Sequence, residues 1–501
     1  MTTPELAVPR PGTFRFPADA GRVRALLETE VFSILVIATW ASILAITMRL
    51  LVIQDTFLAL VDGRLIAQHG LPHIDTLTYW TLGRRWIDQQ WGAHLALYEV
   101  GRFGGVRAVA LVGIACVVAA LAAAAVATRK LGASPRSAAI GLLLPLVCSS
   151  WVAEVRTQSL ALVPFVVVYA LLALDARRPS RRVLFVLPTL VVWANLHGSV
   201  ALAAGLTTLY GLTLLRYRDA RGRAAALVFG APLCALVSPY GLDLLGYYRL
   251  MLLHPPLASF VVEWKPPAVQ LTTAPLFASA FVATALWARH HRTLTSFERW
   301  AILILLAGAM TAIRNAVWFE LAAVVSLPRL VDAAWPSRIA LTAGLRRVNL
   351  FLGTFAVVVA SLVIAAQFAH PVAAFDYGRS PAAAKAGAAA AGSHGIVLAD
   401  DEHADWLLWQ QPSLAGRVAY DVRFELFDRR ELQQIVSLQK GIRPTWRRCG
   451  ATASVVTFSG PGQARLIDQQ DVLAPGARPI VRTPGFSAVA QPPSASTCRR
   501  L

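Results

Sequence analysis

The sequence predicts an α-helical polytopic membrane protein of about eleven transmembrane helices, followed by a small exported α/β domain. Three observations carry that reading. Apolar residues make up 56% of the 501 and charged residues 15%, against about 25% charged in soluble domains. Short Arg-rich breaks recur after every second apolar run. The composition changes after residue 369, where strand-like and helix-like patterns alternate. A soluble chain with so few charges could not cover its surface, and the same figures exclude disorder, coiled coil and a small disulfide scaffold. The net charge of +19 would suit a nucleic-acid binder only as a basic patch on a soluble face. Here the basic residues lie between apolar runs, so no nucleic-acid partner is expected.

Residues 1–30 form a near-neutral polar segment expected in the cytoplasm. The run from Val31 to Ile53 is too long for a signal-peptide core and reads as the first span. Further spans are expected at 104–128, 136–152, 157–175, 183–197, 199–215, 223–238, 272–289, 299–313, 315–332 and 348–369, each near the roughly 20 residues a bilayer requires. Arg129, Lys130 and Arg136 follow the second span, and Arg177, Arg178, Arg181 and Arg182 follow the fourth. Arg216, Arg218, Arg221 and Arg223 come next, then Arg289, Arg292 and Arg299, then Arg329, Arg338, Arg346 and Arg347. Positive loops stay inside, so the N-terminus is predicted cytoplasmic and the first loop (54–103), the intervening turns and the tail (370–501) outside. The transmembrane domain then runs from 31 to 369.

The first loop opens with Asp55 and a helical apolar pattern through Phe57, Leu58, Val61, Leu65 and Ile66 that stops at Gly70 and Pro72. It is expected to lie along the membrane surface as an interfacial helix. Asp55 suits an N-cap or a general base whose partial desolvation raises its pKa. Asp75 and Asp88 suit turns as well as chemistry, and Trp86 and Trp91 suit an interfacial belt. The other outer turns carry Glu154 and Arg156, Asn195 and His197, Tyr240, Glu263 and Trp264, and Arg314 and Asn315. Ionisable residues at membrane depth are costly and are functional candidates by default. Arg156 is open to pairing with Glu154 or to snorkelling, and His197 to simple packing. Arg314, in a short turn between two spans, presents a fork suited to phosphate. In the tail, strand and helix signals are expected to alternate through Ile396–Leu398, Ala404–Gln410, Arg417–Tyr420, Arg430–Gln439, Ala453–Phe458, Arg465–Gln470 and Ile480-Val481. Cys449 and Cys498 lie in this exported segment, an oxidising setting, and are expected to pair. No metal-ligand spacing, P-loop or dinucleotide fingerprint is present.

Read in order, these features resemble the bacterial GT-C glycosyltransferases, integral membrane enzymes that take sugar from a polyprenyl-phosphate carrier on the outer membrane face. More narrowly the chain looks like a branch of that class with an exported α/β tail, and the residues that match this branch are Asp55, Gly63-Arg64, Pro72 with Asp75, Trp86 with Trp91, and Asn195 with His197-Gly198. Pro239-Tyr240-Gly241, Glu263-Trp264, Arg314-Asn315, Ala404-Asp405-Trp406-Leu407 and the run Tyr420–Leu426 continue the match, which spans about residues 31 to 460. The chain departs from many members of the branch at Ala59, where they carry His, and at Gln89-Gln90, where they carry His-Glu.

The resemblance implies a multi-pass protein of the bacterial inner (plasma) membrane. It implies that Asp55 deprotonates an acceptor hydroxyl, which attacks the anomeric carbon with inversion while the polyprenyl phosphate leaves. Arg314 and Arg156 are the implied donor-phosphate ligands. Asp75, Asp88, Gln90, His197 and Glu263 are the implied substrate contacts. The implied partners are a polyprenyl-phosphate-linked sugar donor, a glycan, lipid or protein acceptor, and the bilayer. Some members of the class use a divalent metal, and nothing in this sequence decides for or against one. A secondary transporter or lipid-carrier flippase is the alternative, although no internal repeat is visible. A non-catalytic scaffold would not need ionisable residues drawn from five outer segments.

Overall fold

The computed structural model describes residues 20–148, 154–253, 260–336, 342–371, 375, 381–439, 455–459, 478–483 and 486–491. Helix occupies each of the eleven apolar segments, from Val31–Ile46 to Ala343–Ala366. Among the described helices, three are long and apolar enough to cross a membrane: Trp91–Lys130, Thr157–Arg177 and Ala343–Ala369. A fourth would join Gly21–Thr29 to Val31–Ile46 across an 89° bend. The helix Trp91–Lys130 joins the end of the first loop to the second apolar segment and kinks at Gly105, whose φ of 69° is open to glycine at little cost. Phe165, Trp193 and Trp318 pack together from three different helices, with centroids 5.1–6.3 Å apart.

The first loop differs from its expected setting. Its helix, Gln54–His69, forms where the pattern placed it. It is not an interfacial helix with one face in lipid, because Phe57, Ala59, Leu60, Val61 and Ile66 are all buried in protein. One side packs on Trp91–Lys130 and the other on the tail helix Asp401–Gln410. The approach to Trp91–Lys130 depends on Gly63: a Cβ there would stand 2.1 Å from the His94 carbonyl oxygen. Sequence periodicity reveals that a face is apolar, not what covers it.

The tail contributes strands β1 (Ile396–Ala399), β2 (Val455–Ser459), β3 (Arg478–Thr483) and β4 (Phe486–Gln491) in the order β1-β2-β4-β3. β1 pairs with β2 in parallel, and the other pairs are antiparallel. Strands lie at the expected Ile396–Leu398, Ala453–Phe458 and Ile480-Val481 positions and helices at Ala404–Gln410 and Arg430–Gln439, together with an Ala-rich helix, Pro381–Ala391, that the patterning did not single out. The expected segment Arg417–Tyr420 is not a strand of the sheet: Val418 makes isolated bridges to Thr78 and Val397, and Arg465–Gln470 lies outside the described residues. Cys449 and Cys498 lie outside the described residues.

The tail is tied to the first loop by main chain and by arginines. Tyr79 and Trp80 donate their N–H groups to the carbonyls of Val418 (2.7 Å) and Ala419 (3.1 Å), and Trp80 stacks on Tyr420. Arg64 donates to the carbonyls of Leu408 (2.5 Å) and Trp409 (3.0 Å) at the C-terminal end of a tail helix, where carbonyls lack helical partners. Arg84 grips Glu431 at 2.5 and 2.8 Å.

Candidate active site

The outer turns meet at one end of the bundle because their backbones are laced together. Val155 donates to the Leu51 carbonyl (2.8 Å), Gly92 to Asn195 (3.0 Å) and Ile313 to Lys265 (3.0 Å). Asn195 accepts from the Trp91 indole (2.8 Å) and donates to the Val237 carbonyl (2.8 Å). The Tyr240 hydroxyl donates to the Pro72 carbonyl (2.8 Å). Several motif residues of the sequence are thus the fasteners of the site, satisfying backbone groups that would otherwise be buried unpaired.

Between these turns and the tail lies a cavity of about 940 Å³, bordered by Asp55, Gln90, Arg156, His197, Glu263 and Arg314. Six of the eight expected chemistry-bearing positions meet there. Asp75 and Asp88 do not border it. The Asp75 carboxylate accepts from the Leu77 N–H (3.0 Å) and from the hydroxyls of Thr78 (2.7 Å) and Thr81 (2.6 Å), and it pairs with Arg423 (2.8 Å). Asp88 accepts from the Gln90 N–H (3.0 Å) and bonds His94 Nδ1 at 2.8 Å. Both carboxylates are engaged in holding the loop, which corrects their expected placement among the substrate contacts.

Asp55 stands inside the first turn of its helix, and Ile53 occupies the cap position. The first-turn hydrogen bond runs instead from the Ile53 N–H to the Thr56 hydroxyl (3.1 Å). Asp55 keeps 34% of its side-chain area open and borders the cavity. Burial, and secondarily the charge of Glu263, push its carboxyl above the usual range against the pull of Arg156 and Arg314.

Arg156 is the hub. Its guanidinium meets both Glu263 oxygens at 2.9 Å, Asp55 at 3.6 Å and Glu154 at 3.5 Å. Burial pushes the Glu154 carboxyl up to about 7. Arg314 lies over the Trp264 ring at 4.3 Å, and among the described residues no carboxylate is within ion-pair distance of it. Burial and the neighbouring Arg156 lower its pKa, yet an arginine stays charged. His197 receives the Ser199 N–H (3.2 Å) at Nδ1. It borders the cavity beside Arg314.

The sequence marked Asp405, Asp421 and Arg423 only as part of matching runs and gave them no role, and it did not single out Asp62; the structure brings them together at the base of the tail. Arg423, 2% exposed, pairs with Asp75 (2.8 Å) and Asp421 (2.7 Å) and lies 4.4 Å from the Trp86 ring centroid. Asp62 and Asp405 are fully buried nearby, their four carboxyl oxygens without hydrogen-bond partners among the described residues. The alternation Asp421-x-Arg423-x-Glu425 and the spacing of His94 four residues after Gln90 were the available signals. Among the described residues no group of three His, Cys, Asp or Glu is arranged to hold a metal ion. Asp55, Glu154 and Glu263 are gathered around the Arg156 guanidinium instead.

No protein-family model matches the chain, and no curated protein matches its sequence. Solved structures similar to it include ArnT from Cupriavidus metallidurans bound to undecaprenyl phosphate, at TM-score 0.49 and 12% identity over 92% of this chain and 99% of that one. The apo form of that ArnT gives 0.47 and 12% over 87% and 93%. The apo oligosaccharyltransferase from Archaeoglobus fulgidus gives 0.46 and 11% over 85% and 69%. Likenesses at this level assign no activity and no residue role.

Proposed function

We propose that the protein is a membrane glycosyltransferase that moves a sugar from a polyprenyl-phosphate carrier to an acceptor hydroxyl on the outer face of the bacterial inner membrane. The observation that carries the proposal is the meeting of Asp55, Arg156 and Arg314 in one cavity, although they come from three segments far apart in sequence. Sugar transfer from a lipid phosphate needs little else: a base at the acceptor and a cation at the departing phosphate.

In this reading Asp55 takes the acceptor proton as the hydroxyl oxygen bonds to the anomeric carbon. The bond from that carbon to the carrier oxygen breaks on the opposite face, so the configuration inverts. The carrier phosphate keeps the electron pair, and Arg314 meets the added charge. Arg314 suits that role because it lies on Trp264 with its charge uncommitted among the described residues. Arg156, held by Glu263, keeps the Asp55 carboxylate ionised against burial and supplies the second cation. Gln90, His197 and Glu263 border the same cavity as contacts for the transferred sugar. Eleven crossings, a cytoplasmic N-terminus and an exported 370–501 segment complete the proposal.

Mass spectrometry of lipid-linked sugars in a strain lacking the gene tests it. One polyprenyl-phosphate sugar should accumulate, and complementation should remove it. An unchanged lipid-sugar profile would overturn the proposal.

A further inference from the structure

Glu425 borders the cavity from the tail side, in the short turn Phe424–Leu426. Its backbone is anchored on both sides by the first loop. Arg423 before it is held by Asp75 (2.8 Å), and the Leu426 carbonyl after it accepts from Arg84 (3.0 Å). Among the described residues no side chain hydrogen-bonds or ion-pairs with the Glu425 carboxyl, and burial pushes that carboxyl up to about 7. A carboxyl positioned this firmly, bonded to its own backbone but to no side chain among the described residues, is organised for something that enters the cavity.

The charges around the same space narrow what that is. Its cationic neighbours are His94, Arg156, Arg314 and Arg423. His94 is bonded to Asp88 (2.8 Å), Arg156 to Glu263 (2.9 Å) and Arg423 to Asp75 and Asp421 (2.8 and 2.7 Å). Among the described residues that leaves Arg314 without an ion-pair partner, and in the reading above the donor phosphate requires both it and Arg156. An acidic acceptor would find no uncommitted cation and would meet Glu425 as a like charge.

We propose that Glu425 is the acceptor-binding carboxyl, and that the acceptor is an uncharged or amine-bearing sugar rather than an acidic one. This rests on the transferase reading, and it adds the acceptor class and a tail residue that selects it.

The test uses the full chain in lipid nanodiscs with undecaprenyl phosphate bound, titrated with butyl β-glucosaminide, butyl β-glucoside and butyl β-glucuronide. Trp264 and Trp318 border the cavity and report binding by fluorescence. The glucuronide should bind about tenfold more weakly than the glucosaminide, the effect of one charged contact. Glu425→Gln should erase most of that difference while leaving undecaprenyl phosphate affinity unchanged. A difference that survives Glu425→Gln, or wild-type protein that prefers the glucuronide, would overturn the inference and leave the donor site standing. Wild-type protein that fails to bind undecaprenyl phosphate would sink the transferase reading as well. If Glu425→Gln does not fold, a wild-type pH series decides: discrimination should fade as pH drops through about 7, and a flat profile would refute it.

Discussion

Arg423→Met tests whether the tail is held to the first loop by one buried cation. The substitution keeps the chain length and removes the charge. In the wild type the guanidinium touches Asp75 at 2.8 Å and Asp421 at 2.7 Å, with Asp62 and Asp405 fully buried beside it. Removing one partner of a buried ion pair costs about 3–5 kcal/mol because the other charge stays buried without compensation. Here two carboxylates lose their partner, so the upper end of that range is expected.

The cost should depend on pH, and the sign follows from the carboxyls. Burial pushes Asp75 up, but Arg423, Thr81, the Leu77 N–H and Thr78 together hold it below the ordinary value. Its contribution to docking is present above about pH 4 and is lost as pH falls through the depressed value. Burial raises Asp62, Asp405 and Asp421 instead, with like-charged neighbours adding to the shift. Their contribution is present below about pH 4 and is lost as pH rises through their folded values. Without Arg423 all four would sit higher, so the variant should release the tail as pH rises and recover part of its docking in acid. Limited proteolysis of reconstituted protein at several pH values, read as cleavage between the membrane helices and the tail, measures this. A variant as resistant as the wild type at neutral and alkaline pH would refute the clamp.

Asp55→Asn keeps the side-chain size and removes the proton acceptor, so transfer should fall by a factor of about 10²–10⁴ with thermal stability little changed. Transfer at the wild-type rate would dismiss Asp55 as the base. Arg314→Lys keeps the charge and loses the planar fork, so it should raise the donor KM more than it lowers kcat; a donor KM equal to the wild type would move the phosphate elsewhere. Reporter fusions at Gly132, Arg221 and Gly395 should read inside, inside and outside, and an inside signal at Gly395 would overturn the eleven-span topology. Cys449 and Cys498 should form a disulfide that stabilises the tail by roughly 4 kcal/mol in the chain-entropy model. Two alkylatable thiols in protein purified without reductant would rule it out.

The sequence by itself determined that the chain is a helical membrane protein, because apolar run length and arginine spacing are one-dimensional properties that a bilayer reads directly. It also marked Asp55, Arg156, Glu263 and Arg314 as ionisable residues at outer helix ends, where charge is costly enough to stand out. Even Asp75 was legible as a turn residue, and its carboxylate does accept the Leu77 N–H two residues on. Only the tertiary structure decided which charges are spent and which remain available. The sequence offered Glu154 as the partner of Arg156, yet Arg156 is held closest by Glu263, while Arg314 lies on Trp264. That Asp75 is taken up by Arg423, from a segment nearly 350 residues on, was not legible in the sequence. The burial of the Gln54–His69 helix and the placement of Glu425 beside the cavity have the same origin, since both depend on a tail that folds back from more than 300 residues away. Electrostatic pairing acts over a few ångströms in space, and the distance along the chain does not encode it.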